Sequence, residues 1–192
     1  MQPELAALLA ESERIAADAE SLGKSLTDSQ LLWKPGANKW SVSECLAHLI
    51  TVDGLDIPEL RRAIAEGREK GITGQGPFRY GILSGWFVRS MEPPVKRFKS
   101  RAPAAYVPPQ VTDPRATLVD FLATQAELRD IIRSADGLHL ARVKTRLPIL
   151  PGLRMSLGRR LQLIAAHDRR HLWQARQVVS VMEPRVASGT TV

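Results

Sequence analysis

Residues Leu157 to Met182 read LGRRLQLIAAHDRRHLWQARQVVSVM, with apolar residues at Leu157, Leu161, Ile164, Leu172, Ala175, Val178, Val179 and Met182. Steps of three and four between them mark the buried stripe of one long helix. His171 falls on that stripe, and His167 lies one turn before it. Residues four apart on a helix stack about 6 Å apart along its axis. Two imidazoles so placed can converge on one cation, with ring nitrogens roughly 2.0–2.1 Å from an ion such as zinc. Arg159, Arg160, Arg169, Arg170 and Arg176 fall mostly off the stripe and read as a solvated face.

Two ligands make a poor metal site, so a third is sought elsewhere. In Trp40-Ser41-Val42-Ser43-Glu44-Cys45-Leu46-Ala47-His48-Leu49, Ser41 reads as an N-cap and Glu44 as its capping-box partner. Trp40, just before the cap, can pack on Cys45 as a hydrophobic staple. The helix that starts there turns Cys45, His48, Leu49, Val52 and Leu55 inward. A lone histidine on an apolar face is most often an ordinary core residue. An i,i+4 pair facing a third inward histidine on another helix is a stronger pattern.

The runs KWSVSECLAHL (39–49) and AAHDRRHLWQARQV (165–178) resemble the DinB-like superfamily of helical-bundle metalloproteins. In that family a Trp-Ser opens the second helix, a histidine follows within two turns, and an H-x-x-x-H pair sits on the last helix. The resemblance implies that His48, His167 and His171 bind a divalent metal (zinc, nickel or iron). It also implies metal-dependent chemistry on a small-molecule substrate, thiol-dependent S-transfer or hydrolysis, with a low-molecular-weight thiol as a possible co-substrate. Relatives are often dimers, so a homodimer is expected.

Length and composition frame this reading. The chain has 192 residues, 44% hydrophobic and 24% charged, the balance of an ordinary globular protein with one core and one domain. No apolar run reaches the length of a membrane span. Met1-Gln2-Pro3-Glu4-Leu5 leads straight into an amphipathic pattern without a basic n-region or an apolar h-region, which points to the cytoplasm. A single cysteine, Cys45, excludes an internal disulfide framework. The net charge of +7 is spread over helix surfaces, apart from Lys96–Arg101 and Arg142–Arg146. No nucleic-acid-binding motif accompanies it, so nucleic acid is an unlikely partner, whereas an anionic small substrate would be drawn by the same charge.

The remaining pattern gives an all-α four-helix bundle with helices near 3–22, 41–66, 113–135 and 156–182, packed antiparallel. Pro58 predicts a kink or break near Leu55–Ile57, with Asp53 and Asp56 read first as solvated or capping acids beside it and second as carboxylates supporting the metal ligands or facing the substrate. Residues 67–112, rich in Gly and Pro, form a long ordered crossover with a short helix near Tyr80–Val88, and Trp86 or Tyr80 is expected to pack near the metal mouth. Asp113-Pro114 opens the third helix as cap and first helical residue, and Gln125 is expected to hydrogen-bond inside the bundle. Ser156 is read as the cap of the last helix. His139 falls in a loop and is not counted as a ligand. Residues 185–192 read as a frayed tail. Three neutral imidazoles leave an open position on a metal, the mark of a catalytic site. The alternative is a non-catalytic metal- or ligand-binding bundle.

Overall fold

The computed structural model describes residues 1–94, 106–148 and 152–187, with side chains as far as residue 182. The chain forms a four-helix bundle with a small hairpin. Its elements in order are α1 (Pro3–Ser25), α2 (Asp28–Leu32), α3 (Val42–Glu69), α4 (Ile82–Met91), α5 (Pro114–Ser134), β1 (Lys144–Arg146), β2 (Arg154–Ser156) and α6 (Leu157–Ala187). The basic run Lys96–Arg101 and residues 188–192 of the expected tail lie outside the described residues. No helix among the described residues is long and apolar enough to cross a membrane.

Helices α1 and α3 each pack on both α5 and α6, and polar pairs between them give every helix a direction. Asp56 of α3 pairs with Arg160 of α6, while His48 stacks on His171, so α3 and α6 run antiparallel. Ser12 bonds Gln125, and the Gly23 carbonyl accepts from Arg115, so α1 and α5 are antiparallel as well. Glu4 with Gln162, Glu11 with Arg169 and Asp18 with Arg176 make α1 and α6 parallel. Arg61 with Glu127 and Arg68 with the Ser134 carbonyl make α3 and α5 parallel. The expectation of antiparallel packing therefore holds for only some neighbours. Two consecutive main helices that run the same way need a connection as long as the bundle, and this is what the crossover supplies. Within it α4 climbs alongside α6, packing Val88, with Phe87 and Met91, against Leu163 and Ala166.

The apolar stripes read from sequence meet in this core. Leu5, Leu8 and Leu9 of α1 pack with Leu60 and Ile64 of α3, Leu128 and Ile131 of α5, and Leu157, Leu161 and Ile164 of α6. Phe121 and Leu118 meet Leu46, Leu49 and Leu172 in the other half. Leu31 and partly buried Trp33 close the end near Cys45 and Val178.

Several expectations need correction. Helix α3 runs unbroken through Pro58. The carbonyl that loses its partner to proline belongs to Gly54, and both residues are exposed, so water can take over that bond. Leu55 is exposed and does not face inward. The loop before α6 carries the β1–β2 hairpin, with Thr145 opposite Met155, and Ser156 ends β2. Helix α6 continues past Pro184 to Ala187, beyond the expected end.

The start of α3 is fixed by a complete capping box. Ser41 Oγ accepts from the Glu44 amide at 3.1 Å, and Glu44 Oε2 accepts from the Ser41 amide at 2.9 Å. Both side chains are buried, so water cannot replace either bond. Ser41→Ala is expected to lower stability by about 1 kcal/mol. Urea unfolding should show a lower midpoint with an unchanged slope.

Candidate metal centre

His48 lies two turns into α3, while His167 and His171 occupy adjacent turns of α6. Antiparallel packing brings one ring nitrogen from each within 4.8 Å of the others. His48 Nε2 is 3.4 Å from His167 Nε2, and the ring centroids of His48 and His171 are 4.4 Å apart. Trp40, one residue before the cap, lies against both His48 and His171, with ring centroids at 4.8 and 5.6 Å. It also packs on the cluster around Cys45, so the staple residue doubles as a wall of the site. His48 and His171 are buried, and His167 is the half-buried member.

Burial sets the charge state of these rings. It lowers the proton affinity of His48, against the opposing hydrogen bond to the Tyr106 carbonyl. It drives His167 to about 3, helped by the His48 ring and by the charges of Arg170 and Arg160. His171 falls well below the ordinary histidine range for the same reason, with the other two imidazoles adding to the effect. All three rings are therefore neutral near pH 7, the form that offers a lone pair to a metal. His171 Nδ1 is buried with no well-formed hydrogen bond among the described residues, although the Gln174 side chain lies near the ring, and such a nitrogen is of the kind a bound cation satisfies. The donor set fits a divalent transition-metal ion.

Beneath the imidazoles the bundle interior carries charge. Arg160 and Asp56 form a buried ion pair. Neither is on a solvated face as the sequence reading had it. Ser12 donates to Gln125 Oε1, and Gln125 Nε2 donates to Asp168 Oδ2, both at 2.9 Å, which meets the expectation for Gln125. Asp53 is fully buried, and neither of its oxygens has a hydrogen-bond partner among the described residues. Burial and then the neighbouring Asp168 push its carboxyl well up. Asp168 is raised to about 7 by burial, against the Gln125 bond. Arg169 ties the outside of α6 to Glu92 and Glu11.

The structure thus brings together the three histidines named from sequence and leaves His139 out. That ring stacks on Phe78 at 4.7 Å. Cys45 is a buried core thiol, pushed far up by desolvation. Tyr80 is not at the mouth: its hydroxyl donates to Glu4 at 2.7 Å and lies over Gly158, nine residues before His167. Tyr106 reaches the site instead, its carbonyl 2.6 Å from His48 Nδ1. Sequence reasoning named Asp53 and Asp56 but set them first as solvated or capping acids, and it missed where Asp168, Arg160 and Tyr106 lie. Asp56 and Arg160 fall eight residues after His48 and seven before His167, spacings that keep them on the histidine stripes. Tyr106 carries no such periodic signal.

The family model of the DinB superfamily matches residues 11–175. Among solved structures, YfiT from Bacillus subtilis, described as a probable metal-dependent hydrolase with an unusual four-helix bundle topology, aligns with a TM-score of 0.62 at 15% identity. The alignment covers 95% of this chain and 90% of that one. At this identity the likeness is one of fold. No curated protein matches the chain.

A ring that binds protons less well folded than unfolded disfavours the native state in acid. The contribution of His167 is complete above about pH 6.5, the unfolded value, and is lost as pH falls towards about 3. Asp168, raised to about 7, slopes the other way: its contribution is lost as pH rises through that value. Comparing chelator-treated wild type with His167→Gln isolates the first effect. Between pH 6.5 and 4, the wild-type urea midpoint should fall more steeply than that of the variant.

Proposed function

The chain belongs to the DinB superfamily, and from that membership we propose that it binds one divalent metal ion through His48, His167 and His171 and uses it on a small-molecule substrate. The observation that carries the reading is the convergence of three neutral imidazoles, from two helices, within 4.8 Å. When bound, such an ion supplies Lewis acidity, which at neutral pH can make water a nucleophile or hold a thiolate.

The chain's own residues do the rest. The three imidazoles hold the cation and leave a position open. Trp40 shields the His48 and His171 side, so approach is over half-buried His167. Arg170 and Arg160 place positive charge near the His167 ring, Arg160 already matched by Asp56, and the net charge of +7 favours an anionic substrate. Hydrolysis is the first reading, in keeping with the description of YfiT. Thiol-dependent S-transfer is the second. Buried Cys45 is no source of thiolate, so that reaction would need a low-molecular-weight thiol from solution. A homodimer is part of the same reading, and sedimentation velocity at high concentration tests it.

Metal analysis of untagged protein is the central experiment. His48→Ala and His171→Ala should each lose most of the bound metal, although they lie on different helices, while His139→Ala should keep it. Stoichiometric metal in the triple variant of His48, His167 and His171 would refute the site. Chelation should abolish turnover in hydrolytic or thiol-plus-electrophile screens and leave helical circular dichroism nearly intact, because apolar stripes hold the bundle. A holo-protein inert in every screen, whose metal-free form unfolds, would establish a structural metal instead.

A further inference from the structure

Tyr106 stands where the crossover returns to the bundle, 58 residues from His48 in sequence, and its carbonyl lies 2.6 Å from His48 Nδ1. A carbonyl oxygen can only accept, so Nδ1 carries the proton. The opposite tautomer would set a nitrogen lone pair against an oxygen lone pair at that distance. With Nδ1 protonated and the ring neutral, the lone pair sits on Nε2, the atom 3.4 Å from His167 Nε2. The ring is gripped from other sides by Trp40 and His171, so Nε2 faces the cluster in either tautomer, and the tautomer decides whether that atom carries the lone pair.

The carbonyl is held by its own side chain. Tyr106 is 8% exposed, whereas the next residue, Val107, is 53% exposed. The Tyr106 phenol lies within the field of the buried Asp56–Arg160 pair, which acts on its hydroxyl from both partners. The segment thus turns one side chain inward, at Tyr106, and the next outward. We propose that Tyr106 is a positioning residue for His48: its carbonyl fixes the ring as the Nδ1–H tautomer, and its buried side chain holds that carbonyl in place. Partners behind a metal-binding histidine ordinarily change metal affinity by about tenfold to a hundredfold.

The proposal takes His48 as a ligand from the preceding reading, but half of its test needs no metal. Nitrogen-15 NMR of the imidazoles in chelator-treated protein at pH 7 should show His48 as the Nδ1–H tautomer alone in wild type and in Tyr106→Phe. Tyr106→Ala should show mixed tautomers and about tenfold to a hundredfold weaker zinc binding, with helical content unchanged. Tyr106→Phe, which keeps the ring, should restore both. Should Tyr106→Ala fail to fold, Tyr106→Val, which removes the ring and fills only part of its space, takes its place. A wild-type His48 protonated on Nε2, or an alanine or valine variant with wild-type tautomer and wild-type zinc affinity, overturns the proposal. If wild-type protein takes up none of zinc, nickel or iron, the metal reading fails, and the tautomer measurement still decides the role of Tyr106.

Discussion

The antiparallel seam between α3 and α6 is the constraint from which the rest follows. It brings three imidazoles to one level, with Asp168 between the two histidines of α6 and Asp53 beside it. It sets the Asp56–Arg160 pair about two turns further along. Each group makes chemical sense only with the others at the right height. Carboxylates this deep are costly unless paired or protonated. Here one is matched by arginine, one accepts from Gln125, and one has its proton affinity pushed up by burial. The neutral imidazoles above them are held so by the same desolvation.

The second constraint is directional. With α3 and α5 parallel, the chain must travel back along a helix of 28 residues, about 40 Å at 1.5 Å per residue. The crossover uses that distance: α4 rides along α6, and the segment entering α5 brings Tyr106 to His48. A connection demanded by topology thus ends at the candidate site.

How far the sequence could be read depended on whether a residue's role was local. The capping box at Ser41, the Asp113-Pro114 start of α5 and the stripe of α6 are short-range signals, and the structure has each where the residues put it. The three histidines were legible because i,i+4 spacing and depth from a cap are countable. Of the kink or break expected at Pro58, the break does not occur, because the cost of the proline depends on whether the freed carbonyl sees solvent, a tertiary matter. Asp53, Asp56 and Arg160 misled because charge usually means surface, and only the pairing of two helices reveals that their heights coincide. Helix direction in the bundle was not legible at all, since an amphipathic stripe looks alike read up or down. The approach of Tyr106 to His48 was not legible for a related reason: the contact is through its main chain, which carries no residue identity.

The buried Asp56–Arg160 pair has a bearing on fidelity. Apolar stripes tolerate sliding, since one leucine can replace another a turn away with little loss. If α6 slipped about 5.4 Å, one turn, towards the C-terminus of α3, Arg160 would face Leu60, and Asp56 would be left alone in the core. An unpaired buried charge costs about 3–5 kcal/mol, comparable to much of the stability of a whole domain. The pair therefore acts as a stop against that slide, which would carry the histidines of the two helices away from their common level.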